Sequence, residues 1–231
     1  MQYTSFLAAI LTLTGLSCLR ADDRTVLFAD DFENRTELGK NFTVSSEWPD
    51  SWKVTNGILV AKQDNPDHGA VLKKEIEFHN IEIEFDFRFS GGTRFNLVID
   101  DKKDKSVHAG HICRASFTPT KLTLGDDKTG KMNLEVQKLR DTKNLPADQQ
   151  KAYEKLLASC ESSVAVDFAA GKWHHVRVRI EGDTMEAFVG DKKVATLKSP
   201  GVAQPTKTSF GFTVTGATID FDNLKVFAVS K

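Results

Sequence analysis

Ile219-Asp220-Phe221-Asp222-Asn223-Leu224-Lys225-Val226, near the end of the chain, has a counterpart near its start in Ala29-Asp30-Asp31-Phe32-Glu33. Both are short apolar/acidic alternations of the kind a half-buried strand shows. Between them one strand pattern follows another. Residues 81–89 give the cleanest: Ile81, Ile83, Phe85, Phe87 and Phe89 point one way, Glu82, Glu84, Asp86 and Arg88 the other. Gly91-Gly92 reads as a turn into a second alternation, where Phe95, Leu97 and Ile99 interleave with Arg94, Asn96 and Val98. Residues 51–60 carry an Asn56-Gly57 pair between two strand patterns, a strong hairpin signal. Further strands are expected over 70–77, 107–117, 121–124, 163–167, 176–181, 185–189, 209–215 and 217–229. Only one segment has helical spacing. Pro146 opens it, and Ala152, Tyr153, Leu156, Leu157 and Cys160 share a face that is expected to pack on the sheets.

The chain has 231 residues, 40% of them hydrophobic and 27% charged, which is ordinary for a globular protein. Its formal net charge is −1, so there is no basic excess to displace counterions from a nucleic-acid backbone. Residues 6–16 form an uncharged apolar run too short to span a bilayer, followed by small residues and Asp22-Asp23. Residues 1–21 are therefore expected to be a secretory leader, with 22–231 as one exported or periplasmic domain. A lipid anchor on Cys18 fits less well, because Gly15 stands where such sites carry Leu or a similar apolar residue. No second apolar stretch is long enough for a membrane span, and the oligomeric state has no signature. Cys113 and Cys160 remain once Cys18 leaves. In an exported chain they are a disulfide candidate, closing a loop of roughly 47 residues and contributing about 4 kcal/mol. Equally, both can be small buried hydrophobes.

Three segments carry a family resemblance: residues 171–178 (Gly-Lys-Trp-His-His-Val-Arg-Val), 188–194 (Phe-Val-Gly-Asp-Lys-Lys-Val) and 221–226 (Phe-Asp-Asn-Leu-Lys-Val). With Asp30-Asp31-Phe32, the 52–60 hairpin and Phe87-Arg88-Phe89, they resemble the secreted bacterial 3-keto-disaccharide hydrolase group, which is family-16-glycosidase-like. The resemblance implies an all-β, concanavalin A-like jelly-roll β-sandwich with one inserted helix near residues 146–160, closed by pairing of its first and last strands. It also implies a carbohydrate partner. The group's Asn-Ser-Gly-Ile and Asp-His-Gly segments are replaced here by residues 91–97 and 211–216, where ligand-facing residues would lie.

Glu82, Glu84 and Asp86 resemble the Glu-x-Asp-x-Glu strand of family-16 glucanases, whose outer glutamates act as nucleophile and general acid. Alternate strand residues lie about 6.6 Å apart, tolerable for retaining hydrolysis, although the middle and last identities are exchanged. A solvated strand face would show the same alternation. A second cluster surrounds the charged turn after residue 100: Arg94, Asn96, Asp100, Asp101, His108, His111 and Arg114 are expected to hydrogen-bond sugar hydroxyls near one mouth of the sandwich. His108 and His111 should face opposite sides of an extended segment, which disfavours zinc. Trp173 is expected to seal the end of the core, as in the family pattern, with stacking on a sugar ring as the alternative. Asp222 beside Asp31 and Glu33 resembles a structural Ca²⁺ site of family-16-like sandwiches.

Together these features lead to the expectation of a secreted glycan-recognising domain, with 3-keto-disaccharide-type hydrolysis as its catalytic version. The alternative is a non-catalytic structural or surface-assembly domain of the cell envelope.

Overall fold

The computed structural model describes residues 24–229. Its strands are β1 (Arg24–Asp30), β2 (Thr43–Val44), β3 (Trp52–Thr55), β4 (Ile58–Ala61), β5 (Ala70–Phe78), β6 (Ile81–Asp100), β7 (His111–Thr118), β8 (Lys121–Asp126), β9 (Glu161–Ala165), β10 (His174–Glu181), β11 (Thr184–Val189), β12 (Lys192–Lys198) and β13 (Lys207–Val229). Two helices, α1 (Leu134–Asp141) and α2 (Ala147–Ser159), lie between β8 and β9. The proposed leader, residues 1–21 with Cys18, lies outside the described residues.

All strands join one antiparallel hydrogen-bonded network folded over into two layers, a jelly-roll β-sandwich. The fold-over depends on two long strands. β6 and β13 pair with each other from Ser209↔Asp100 to Ala228↔Ile81, with register shifts around Gly91, Gly92 and Gly216. Their halves nearer the chain ends of the domain, residues 81–89 and 219–228, sit in the first layer, flanked by β10–β11–β12 on one side and by β1, β4 and β3 on the other. The other halves, residues 94–100 and 209–215, sit in the second layer, in the order β9–β8–β7–β6–β13–β5–β2.

Gly91-Gly92 is therefore a bend inside one strand and not the turn expected between two. Gly91 takes φ +109°, and a Cβ on Gly92 would meet Ile219 Cγ1 at 2.2 Å. Both facts exclude larger residues where the two strands cross between layers. The Asn56-Gly57 turn forms as expected, with both residues at positive φ joining β3 to β4. β1 pairs with the end of β13, closing the domain.

Between the layers lies a phenylalanine core. Phe85, Phe87, Phe89, Phe95, Phe117, Phe168, Phe212 and Phe221 are all buried. Phe95 and Phe117 stack at 4.5 Å, nearly parallel, while most of the other pairs meet edge-on or tilted. Each such side chain contributes about 1.5–3 kcal/mol by burial. Core residues alternate with outward residues along strands such as β3, β10 and most of β7, so each layer also presents a polar outer face.

Helix α2 forms where its spacing predicts, but its apolar face is only half-buried and Ala152 is exposed. Helix α1 has no apolar periodicity strong enough to announce it. Asn133 caps it, its Oδ1 accepting from the amides of Glu135 (3.0 Å) and Val136 (3.3 Å). Its start is tied to the turn before β7 by Leu134 N to Ser106 O (2.9 Å) and by His108 N to Met132 O (2.8 Å).

Cys113 and Cys160 are both free and buried, which corrects the disulfide candidate. The second layer separates them. Cys113 lies in the core between the layers, whereas Cys160 ends α2 and lines a hollow on the outer face of that layer, beside Thr129. Burial raises both thiol pKa values.

Candidate functional site

The outer face of the second layer carries a trough that crosses its strands. Strand register explains its floor. One row across the layer is Gly125, Arg114, Val98, Gly211 and Lys73; the next is Thr123, Ser116, Asn96, Thr213 and Val71. Glycine on either side of Arg114 and Val98 leaves that row low. Three hollows follow one another along the trough. The first, about 400 Å³, is lined by Arg94, Asn96, Arg114, Ser116, Thr123 and Glu161 among others. The second, about 220 Å³, shares Asn96 and Arg114 with it and adds Lys73, Asp100, His108 and His111. The third, about 260 Å³, joins the second through His68 and Val71 and ends at Trp48.

Six of the seven residues expected to bind glycan are thus brought together: Arg94, Asn96, Asp100, His108, His111 and Arg114. Asp101 is the exception. Strand alternation turns it away from Asp100, and its carboxylate accepts from the Lys103 amide (3.0 Å) and Gln204 Nε2 (2.8 Å) inside the turn. His108 and His111, expected on opposite sides, line the same hollow with ring centroids 6.1 Å apart. The cause is a tight turn at residues 108–110, where Ala109 takes φ +53° and Gly110 +80°. It reverses the extended alternation.

At the centre of the trough Asp100 is almost fully buried and accepts from His111 Nδ1 (2.7 Å) and Lys73 Nζ (2.8 Å). Burial works to raise its pKa, but the hydrogen bonds and charges of His111 and Lys73 outweigh that and hold it below the ordinary carboxylate value. An ionised Asp100 fixes the proton of His111 on Nδ1 and leaves Nε2 as the basic nitrogen. Arg114 stands beside this pair. Its Nε donates to buried Asp127 (2.6 Å), while its Nη2 is buried with no hydrogen-bond partner. A buried donor without a partner is costly. Burial raises the Asp127 pKa, with Arg114 and His111 opposing.

The first layer's outer face holds the other expected carboxylates. Glu82 is fully buried beneath arginines: Arg24 pairs with it, and Arg177 and Arg179 lie 3.6 Å from its Oε2. Arg24 also pairs with Glu84. Asp86 accepts from His175 Nδ1 and Asn223 Nδ2, each at 2.8 Å. This is not the solvated face that alternation alone predicts, and Glu82 is closed to a substrate. Trp173, expected in the core, is 40% exposed and lies under the Arg88 guanidinium, 4.7 Å from the ring centroid. Arg88 is in turn held by Asp220 (2.7 Å).

Asp31, Glu33 and Asp222 do gather at the closing strands. Burial and then the charges of Asp86, Glu33 and Asp31 raise the Asp222 pKa, opposed by the Asn223 amide. Yet among the described residues no three His, Cys, Asp or Glu side chains are disposed to hold a metal ion. Glu33 instead packs on Gly57, where a Cβ would meet its carboxylate at 2.6 Å. Calcium at these residues is thus a proposal that the following comparison tests. A raised carboxylate pKa means that stability is present below the ordinary carboxylate range and is lost as pH rises through the raised value. Asp222→Asn should accordingly raise the Tm at pH 7 in chelator and leave it unchanged near pH 3. A wild-type Tm that climbs with added calcium, and stops doing so in Asp222→Asn, would restore the metal site.

A two-layer jelly roll with a polar trough across one outer face is the architecture of carbohydrate-active sandwiches. The chain belongs to the family of 3-keto-alpha-glucoside-1,2-lyase-like domains, whose sequence model matches residues 26–227. Among solved structures it is similar to the laminarinase from Rhodothermus marinus, at 13% identity and a TM-score of 0.59, over 92% of this chain and 100% of that one. The carbohydrate-binding module CBM66 from Bacillus subtilis is 14% identical, with a TM-score of 0.50, over 80% of this chain and 93% of the module. A sialidase matches 90% of this chain over only 18% of its own length, at 13% identity and a TM-score of 0.59. No curated protein sequence matches. These likenesses concern the fold. No helix among the described residues is long and apolar enough to cross a membrane.

Proposed function

We propose that this protein binds 3-keto-glucosides in the trough and cleaves their glycosidic bond by elimination across C1 and C2, acting outside the cytoplasm after loss of residues 1–21. The observation that carries the reading is the Asp100–His111 pair set in one hollow with Arg114. The family's description names a substrate with a ketone at C3 and a reaction across the 1,2 bond.

The chemistry follows from the ketone, which acidifies the hydrogen on C2. His111 Nε2 takes that proton, while Asp100 holds the ring and stabilises the imidazolium that forms. The electron pair left on C2 spreads to the C3 oxygen as an enolate, whose charge the Arg114 guanidinium lining the hollow stabilises. The enolate collapses to form C1=C2, and the C1–O bond breaks with its electrons on the leaving oxygen. That oxygen takes a proton from His108 or water. Products are a conjugated enone and a free alcohol, with no net redox change and no water consumed. Later addition of water across C1=C2 gives 3-ketoglucose, so the overall outcome equals the hydrolysis expected for this group. Asn96, which lines the second hollow, would hydrogen-bond a ring hydroxyl there, a neutral bond contributing about 0.5–1.5 kcal/mol.

The test is to offer a 3-keto disaccharide and its unoxidised parent. Release of sugar with a new enone absorbance from the first, and none from the second, is the expected result. Cleavage of the unoxidised disaccharide would redirect attention to an ordinary glycosidase. Neither binding nor cleavage of any saccharide would return the structural-domain reading.

A further inference from the structure

We infer that the third hollow, built around Trp48, is a leaving-group subsite that selects substrates whose departing alcohol is a second, neutral sugar; this rests on the elimination reading above. Trp48 is 37% exposed, whereas Trp52, four residues on, is buried at 2%. The exposed indole is not doing core packing. Its position is nonetheless fixed. The Trp48 amide donates to Ser45 O (3.2 Å), its carbonyl accepts from the Ser51 amide (3.2 Å), and Pro49 follows it.

The facing wall is the loop bearing Asn65 and His68, which is pinned as well. Gln63 Nε2 donates to Asn65 O (2.9 Å), and Gln63 Oε1 accepts from the Gly216 amide (2.8 Å), tying the loop to β13. His68 donates from Nδ1 to Gly69 O (2.8 Å), an arrangement that leaves its other ring nitrogen for a ligand. An aromatic face opposite amide and imidazole groups suits a sugar ring, whose C–H face stacks while its hydroxyls hydrogen-bond.

Position in the trough assigns the role. The oxidised ring must lie where His111 and Arg114 meet, in the second hollow. Its leaving group can then extend either way. Toward the first hollow it meets a lining of mixed charge, Arg94 and Lys121 with Asp126, Asp127 and a Lys131–Glu161 pair, and no aromatic ring. Toward the third it passes His68 and Val71, which line both hollows, and reaches Trp48, with Glu47 as the one carboxylate in a lining otherwise of hydroxyl, amide, imidazole and apolar groups. A neutral sugar belongs on the Trp48 side, the one of the two that offers an aromatic face and no cation to prefer an anion.

The experiment compares kcat/KM for two substrates with the same 3-keto-glucosyl group, one leaving as glucose and one as methanol, in the full protein, in Trp48→Ala and in Trp48→Phe. Trp48→Ala should lose about tenfold on the disaccharide, mostly through KM, and nothing on the methyl glycoside. Trp48→Phe should recover most of the loss, which a merely structural role would not produce. If Trp48→Ala leaves the disaccharide unaffected, or lowers both substrates equally, the subsite is wrong while the elimination reading stands on the parent's activity. If the parent cleaves neither substrate, both readings fall.

Discussion

His111→Asn should leave a folded protein whose kcat/KM on a 3-keto disaccharide is lower by about 10²–10⁴-fold, the usual contribution of one positioned base. Asparagine can keep a hydrogen bond to Asp100 but has no basic nitrogen to take the C2 proton. Asp100 would still be held by Lys73 at 2.8 Å, and the His111 side chain is already part-exposed, so the fold loses little. The fall should therefore lie in kcat, with the Tm close to the parent's. Activity within about threefold of the parent would place the base elsewhere. Arg114→Lys offers a companion measurement. Lysine can pair with Asp127 but its point charge does not reproduce the planar guanidinium beside the enolate, so it too should lower kcat more than KM.

Phe85→Ala should destabilise the protein by about 3–5 kcal/mol. Phe85 is fully buried in the first layer and reaches across to the second, with ring centroids 5.1 Å from Phe212, 6.0 Å from Phe95 and 6.1 Å from Phe117. Removing it takes away the edge-to-face contacts that join the layers and leaves a cavity bounded by rings that cannot easily collapse. Urea unfolding at unchanged m-value measures the loss. A change below about 1 kcal/mol would mean that the core lies elsewhere.

How much of this could be read from the chain depended on the range of the signal. The alternation over residues 81–89 and the Asn56-Gly57 hairpin are local, and both appear as expected. So does closure by β1 and β13, whose two acidic–apolar segments match in pattern. The continuity of β6 and β13 through their glycines could not be read, because a local Gly-Gly pair looks like a turn whether or not a partner strand carries on beside it. Only the long-range register decides.

The site shows the same division. Arg94, Asn96, Asp100, His111 and Arg114 come together because two adjacent strands carry them, and adjacency is legible. His108 joins them through a turn with positive φ at Ala109, which no side-chain pattern announces. Lys73 and Asp127, which hold Asp100 and Arg114, come from strands paired at long range or from the segment after β8. Asp127 follows a second buried aspartate, Asp126, whose four donors from Thr129, Ser199 and Gly201 anchor that corner. Glu82 misled for an electrostatic reason. Its strand pattern is that of a solvent face, yet three arginines from β1 and β10 cover it.

The fate of the hydrogen on C2 tests the central claim most directly. A 3-keto disaccharide labelled with deuterium at C2 of the oxidised ring would be given to the full protein in ordinary water and the products followed by NMR. Elimination through His111 requires the label to leave with the base, so the deuterium should appear in solvent, the 3-ketoglucose formed should carry hydrogen at C2, and cleavage should be slowed by the label. A glycosidic bond cleaved with the C2 deuterium fully retained would contradict the account, because displacement at C1 by carboxylate and water never touches that position.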